Sequence, residues 1–477
     1  MTTEGPETDR PVVQADPDPR PPAGPLTPGP SLRVRLPSVN TSVRDFLVTE
    51  SGSALALLAA TVLALVWANS PWSAAYDALW STSAGFHLGS WGLDLDLHHW
   101  VNDAAMAVFF CVVGLEINRE VTSGELRDRR TIAVPALGAL GGLAVPALIY
   151  LAFNGGTEAA HGWGVVMSTD TAFLVGILAL FGPACPDRLR LFLLTLAIVD
   201  DIGAITVMAV FYTDGVRWLA LGVAAVLLAG LLALRWLGVW RLTPYALIGI
   251  ALWLAVNASG VHATLAGVLV GLLLPSRSTA REHVEQVPQW ADGLVAETTA
   301  DREHLTELAA RAAVPASERL QRILHPWSAF VIVPVFGLAN AGVRLDAEAL
   351  RAAATSPVSI GVAVALVAGN TIGITGAATI AIRTGLGQLP GRVRWGHLLG
   401  GAVLAGIGFT ISLFIAELAF EGAIREQAKI GILAGSLLAA VLGSVLLRAL
   451  GNRLPLCSPD EELPPRLPTG PWAVGTV

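Results

Sequence analysis

Apolar residues fall in blocks, separated by short charged breaks, from about residue 51 to residue 449. Runs such as Leu55–Ala68, Leu191–Ile198 and Leu219–Leu234 match a bilayer-crossing helix of roughly 20 residues, or a large part of one. Read between the breaks, the pattern predicts about twelve spans, near 51–69, 98–120, 131–153, 160–181, 188–212, 217–235, 243–258, 260–275, 325–342, 356–383, 396–419 and 426–449. The expected fold class is an all-α polytopic membrane protein. Residues 276–324 interrupt the series with Arg277, Arg281, Glu282, Glu285, Arg302, Glu303 and others. They read as a hydrophilic, partly helical connector between a membrane domain of eight spans (46–275) and one of four (325–450). Residues 1–45, rich in Pro, Asp and Arg, read as a disordered tail, and residues 451–477 as a second tail. No cleavable signal is visible, so the first apolar helix is expected to direct insertion.

One stretch has a different period. Phe86–Leu97 contains a strict alternation from Leu93 to Leu97. It reads either as a small outward-facing β-hairpin with Gly92 at its turn or as an ordered loop.

Composition supports the membrane reading. Of 477 residues, 53% are hydrophobic and 14% charged, with a mean hydropathy of +0.61; an ordinary soluble domain carries about 25% charged residues. The net charge of -7 comes from acidic residues in the tails and one loop, and implies neither a basic ligand nor a nucleic-acid partner. Arginine clusters mark one side of the membrane. They precede the first span (Arg33, Arg35, Arg44) and follow every even-numbered one, as at Arg127–Arg130, Arg188–Arg190, Arg235–Arg241 and Arg448–Arg453. An even number of spans with both termini in the cytoplasm satisfies this pattern. Lys429 is the only lysine. Cys111, Cys185 and Cys457 have neither metal-binding spacing nor a disulfide pattern, and no cofactor is expected.

Carboxylates inside apolar spans are costly and mark paths for ions or protons. Asp170 lies mid-span in Ser168-Thr-Asp-Thr171, and Asp200 and Asp201 lie mid-span in Ala197-Ile-Val-Asp-Asp-Ile-Gly203. Neighbours on a helix point about 100° apart, so one of the pair can face Asp170 while the other faces elsewhere. Thr169, Asp170, Asp200 or Asp201 and a freed backbone carbonyl supply the oxygens a hard monovalent cation prefers. Crowded, buried carboxylates disfavour their own charge. A site that holds either a cation or a proton, in competition, is the minimum machinery of an antiporter. A capping role at a helix break is the bland reading of Asp170.

Two spans look discontinuous. Ser168–Thr171 places hydrogen-bonding groups inside span four, and Gly406-Ile-Gly408 places two glycines inside span eleven. Non-helical backbone at that depth survives only buried or lining a cavity. Interruptions in matching positions of two halves point to inverted repeats, here spans three to five and ten to twelve. Simple helix packing at the glycines is the alternative. Glu116 and Glu120 share one face at the basic end of span two and read as an acidic mouth; Asp103 is a further intramembrane acid near the other end. His262 reads as a structural residue or a pH switch.

Several blocks then resemble, in order, the NhaA family of sodium–proton antiporters. They are Val101–Phe110, Val113–Glu120, Ser168–Phe173, Ala197–Ala204, Gly260–Gly267, His325–Trp327, Asn340–Val343 and Gly406–Ser412, within a resemblance running from about 45 to 450. That family exemplifies the inverted-repeat architecture, so the resemblance and the repeat reading are not independent. The resemblance implies exchange of Na+ (or Li+) for protons across a bacterial cytoplasmic membrane. It implies Asp170 and Asp201 as the ion-binding carboxylates, Thr169 as the polar residue at the break, and Asp200 as the first aspartate of the pair. It also implies Glu116 and Glu120 at a cytoplasmic funnel linked to pH response, and a homodimer formed through the segment 86–97. One departure stands out. Where the family has a lysine in span ten, this chain has Asn370, in Gly369-Asn-Thr-Ile-Gly373. The cationic partner of Asp200 is therefore missing, which leaves the proton stoichiometry open.

Two other function classes fit less well. An intramembrane aspartyl protease would resemble a Gly-x-Gly-Asp signature, and no aspartate here is preceded that way. A sodium-coupled symporter needs a second, organic-substrate pocket, and no basic or aromatic cage for one is apparent.

Overall fold

The computed structural model describes residues 50–88, 91–122, 129–181, 187–213, 215–276, 287–292, 294, 297–389 and 393–451. The chain divides into units 1–45 and 46–477, and every described residue belongs to the second. Both predicted tails, Gly451 apart, lie outside the described residues.

The order of elements begins α1 (Glu50–Ala68), α2 (Ser73–Trp80), β1 (Ser83–Leu88), β2 (Trp91–Asp96), α3 (Leu97–Thr122) and α4 (Arg129–Asn154). A 3-10 segment (Glu158–Val166) and α5 (Thr171–Phe181) follow, then α6 (Asp187–Phe211), α7 (Trp218–Trp236), α8 (Leu242–Ser259) and α9 (Thr264–Leu273). The second half contains α10 (Ala300–Ala313), α11 (Ala316–Asn340), α12 (Ala347–Thr355), α13 (Pro357–Arg383), α14 (Trp395–Leu404), α15 (Phe409–Ala419) and α16 (Gly422–Gly451). Among the described residues, 8 helices are long and apolar enough to cross a membrane, or up to 11 if each bent pair is one span. The chain is thus a mostly helical, multi-pass membrane protein.

The bent pairs are α1 with α2 (116°), the 3-10 segment with α5 (46°), and α14 with α15 (43°). Helix α1 coincides with the span read at 51–69; after Ala68 the chain turns sharply into α2, which the apolar pattern does not single out. The block near 260–275 yields the short α9. Helix α11 starts at Ala316, inside the stretch read as connector. Its first turns carry Glu318, Arg319 and Arg322, which hid them from an apolar scan. Pro326 lies within it, followed by a π turn at Ser328–Ile332; a missing N–H and a crowded carbonyl at proline are relieved by such a turn.

The strands β1 and β2 pair antiparallel, from Ser83 opposite Asp96 to Leu88 opposite Trp91. Gly92 pairs with His87 inside the ladder, so it is a strand residue and not the turn. Asp96 closes the unit by accepting the His99 backbone N–H at 2.7 Å, which caps the start of α3.

Exposure separates lipid-facing from core helices. Only 11% of the apolar window of α7 is buried, against 61% for α3. Trp218 and Trp236 stand exposed at opposite ends of α7, about 27 Å apart along the axis at 1.5 Å per residue. That spacing suits the two interfaces of a hydrocarbon layer roughly 30 Å thick, where tryptophan is enriched.

Close backbone approach holds the core together. Helices α4 and α13, which precede the last two bent pairs, meet at Gly141 and Gly373. A Cβ on either glycine would overlap the other's carbonyl oxygen. Without a hydrophobic drive between helices in lipid, such small-residue contacts supply the packing.

Candidate ion-binding site

The two central breaks cross each other, and each satisfies the other's backbone. At the first, residues 168–170 leave the helix; the Asp170 N–H donates to Ile407 O at 2.6 Å, and Thr169 Oγ1 donates to Ala405 O at 2.8 Å. Carbonyls freed at the second break thus take up donors freed at the first, which is how irregular backbone survives at this depth. Glycine makes the crossing possible. A Cβ on Gly408 would press on Leu366 Cδ2 at 2.8 Å and on Ser168 O at 3.0 Å, and one on Gly406 would overlap Leu366 O.

Asp170 sits where the two continuing helices start. Its Oδ1 accepts the Phe173 N–H at 3.0 Å and so caps α5. Its Oδ2 accepts the N–H and the hydroxyl of Thr410, at 3.0 and 2.7 Å. Both α5 and α15 therefore present their N-terminal, positive dipole ends to one carboxylate. The capping reading of Asp170 and its place in a site are both realised, by different oxygens.

Helix α6 carries the aspartate pair, each member with one buried oxygen left without a protein partner. Asp200 Oδ2 accepts the Thr169 N–H at 2.8 Å, while its Oδ1 has no protein partner. Asp201 Oδ1 likewise has no protein partner, and Asp170, Asp200 and Glu116 all act on Asp201 electrostatically.

A cavity of about 740 Å³ reaches this point from one end of the molecule. Asp170, Asp201 and Thr410 line it together with Thr195, and Glu116, Arg119, Glu120, Gln321 and Arg322 line it further out. The structure therefore brings Asp170, Asp201, Glu116 and Glu120 to one cavity. Asp200, Thr169 and Asn370 do not line it. Asp103 is also outside, in a π turn at Trp100–Ala105 near the other end of α3. Among the described residues, no group of three His, Cys, Asp or Glu side chains has metal-holding geometry.

Asn370 follows a π turn at Ala365–Gly369 in α13. Its Nδ2 donates to Leu366 O at 3.1 Å, and its Oδ1 has no protein partner. Among the described residues no hydrogen bond joins Asn370 to Asp200; the amide nitrogen of Asn370 donates instead to the carbonyl four residues back. Lys429 does not replace the missing lysine either, because its Nζ pairs with Glu417.

Two further residues, Thr410 and Glu417, belong to this arrangement. Thr410 stands in the quoted glycine motif, yet its bonds to Asp170 depend on how two breaks cross. Glu417 is a carboxylate inside an apolar block, the same signal that singled out Asp170.

The chain is similar to known proteins over most of its length. The family model for Na+/H+ antiporter 1 matches residues 44–447. The Na+/H+ antiporter NhaA 3 of Frankia alni is 65% identical over 450 residues, covering 94% of this chain and 97% of that protein. The NhaA proteins of Oleidesulfovibrio alaskensis (46% identical, 85% of this chain and 93% of that protein) and Acidiphilium cryptum (NhaA 2; 44%, 87% and 93%) are similar over most of their length. The chain belongs to the Na+/H+ antiporter 1 family.

Proposed function

We propose that this chain exchanges Na+, or Li+, for H+ across the cytoplasmic membrane of a bacterium, with cation and proton competing at Asp170 and Asp201. The names of its relatives support the exchange. The observation that carries the site is the cavity that holds these two carboxylates at its inner end and Glu116 and Glu120 on its outer wall.

The two aspartates have different work. Asp170 accepts three donors, which orient it and compensate its charge. Asp201 has a buried oxygen with no protein partner, so its charge calls for an incoming cation or a proton. A bare monovalent cation between them takes oxygens from Asp201, Asp170 and the Thr410 hydroxyl, the hard ligands it prefers. Protonation of Asp201 removes the charge that holds the cation, and cation binding displaces the proton. Glu116 and Glu120 raise the local cation concentration at the mouth.

Asp200 is the second proton carrier in this reading. With Asn370 in place of a lysine, no fixed positive charge neutralises it, and a proton does so in one half-cycle. The arginine pattern orients the cavity toward the cytoplasm, with twelve crossings in all and both termini inside. The two crossed breaks belong to inverted repeats built on α4–α6 and α13–α16, and alternating access rocks one bundle against the other. The hairpin edge is the contact of a homodimer.

Everted vesicles carrying a lumenal pH dye test the function. Addition of NaCl to a preformed acid-inside gradient should raise lumenal pH, with no organic solute required. A dye signal equal to that of vesicles lacking the protein excludes exchange.

A further inference from the structure

The end of the molecule away from the cavity holds buried charge that the exchange site does not use. Lys429, near the start of α16, places Nζ 2.5 Å from Glu417 Oε1, with side-chain exposures of 8% and 7%. Arg425 Nη1 approaches Glu417 Oε2 at 2.9 Å. Glu417 lies on α15, the helix whose first turn carries Thr410. That helix is therefore held at both ends, by Asp170 at its start and by two cations at its finish, about 10 Å further along the axis.

What lies between fills the route. Phe414 packs on Phe110 and Phe336, with centroids at 5.5 and 6.3 Å. Beyond them, Asn340 Nδ2 donates to Asn102 Oδ1 at 2.8 Å and His98 Nε2 lies 3.1 Å from Asn340 Oδ1. These groups come from the start of α3 and the end of α11, the opposite ends of the two helices whose other ends line the cavity. The cavity reaches Asp170 from one side, and aromatic and amide contacts occupy the other.

We propose that the Glu417–Lys429 ion pair is the latch of a gate on that other side, holding α15 in place while the cavity is open and parting when the site faces the other way. This rests on the exchange reading above. The chemistry suits a latch. Dry and paired, the two charges compensate each other. Once the gate parts, water solvates each of them, so opening does not strand a charge in hydrocarbon. Neither state is far below the other, as a two-state element requires.

The test is sidedness. The double variant Glu417→Gln, Lys429→Gln removes the latch without leaving either member of the pair charged and alone, and Arg425, with a side-chain exposure of 36%, can turn to water. Sodium affinity is measured in everted and right-side-out vesicles. Loss of the latch shifts the population toward the opposite-facing state, so apparent affinity should fall from the cavity side and rise from the other, changing their ratio by about tenfold or more. Lys429→Arg, which keeps the pair, should retain the wild-type ratio. A second readout does not need transport. With the native cysteines replaced by serine, a cysteine at Ala339, a buried position, should resist a membrane-impermeant maleimide. In the double variant it should become labelled from the side away from the cavity. Equal loss of affinity on both sides with unchanged labelling overturns the proposal and leaves the pair as a plain anchor. Absence of exchange in the wild type with increased labelling in the variant refutes the transport reading and keeps the gate. If the double variant fails to fold, Lys429→Met, which leaves Glu417 paired with Arg425, answers the same two measurements.

Discussion

Thr410 gives both its backbone N–H and its hydroxyl to one oxygen of Asp170, at 3.0 and 2.7 Å. A residue of the second interrupted segment thus sets the orientation of the carboxylate in the first. Any movement of α15 relative to α5 has to pass through this contact, so it links the state of the helices to the state of the site.

Thr410→Val should weaken sodium binding while the backbone N–H keeps Asp170 in place. Loss of a hydrogen bond to a charged group costs about 1.5–3 kcal/mol, or roughly tenfold to a hundredfold in apparent affinity. Thr410→Ser should recover most of it. Sodium titrations of the dye signal in everted vesicles measure the effect; equal affinity in Thr410→Val and wild type would remove Thr410 from the site.

Asp201→Asn and Asp170→Asn should both abolish exchange, but only the second should destabilise the fold. Asp201 Oδ1 has no protein partner, so an amide there strands nothing. At Asp170 an amide nitrogen would face donors from Phe173 or Thr410, and a donor without an acceptor costs about 1–3 kcal/mol. Thermal unfolding in detergent should place Asp201→Asn near wild type and Asp170→Asn below it. Normal exchange in Asp201→Asn would refute the assignment.

Gly141→Val should destabilise the protein without changing ion selectivity. A branched side chain would drive into Gly373 where α4 and α13 touch, and overpacking of this kind costs about 1–3 kcal/mol or more. The check is a lowered unfolding temperature with an unaltered Na+ to Li+ preference in the protein that remains.

Potential dependence decides the role of Asp200. If it carries a proton in place of a fixed cation, an imposed membrane potential should change sodium flux in liposomes, and Asp200→Asn should weaken that dependence. Wild-type flux indifferent to potential would favour one proton per sodium, with Asp200 merely structural. Asn370→Lys supplies the missing charge and tests the same point from the other side.

The hairpin should mediate self-association. Its two strands leave unpaired backbone edges, a ready template for a second copy. Replacing Gly85–Leu95 by a short Gly–Ser turn should give monomers in mild detergent that still exchange ions, because the proposed path lies within one chain. A dimer that survives the replacement would move the contact elsewhere.

Much of this protein is legible in its sequence, for a reason of solvent. Hydrocarbon offers no hydrogen bonds, so every crossing segment must be a long apolar helix, and each departure is conspicuous. The apolar blocks, Asp170, Asp200 and Asp201, the polar break at Ser168–Thr171 and the glycines at 406 and 408 all stand out on that ground alone. What the one-dimensional pattern does not contain is which broken segment meets which. That Ile407 O receives the Asp170 N–H, that Thr410 rather than Thr169 shares the cavity, and that Asp201 faces it while Asp200 turns to Thr169 are results of two breaks crossing 240 residues apart in sequence. The short helix α2 after Ala68 and the early start of α11 at Ala316 escaped for a related reason. A polar helix end outside the hydrocarbon carries no apolar signature, and only its packing against neighbours decides where it begins.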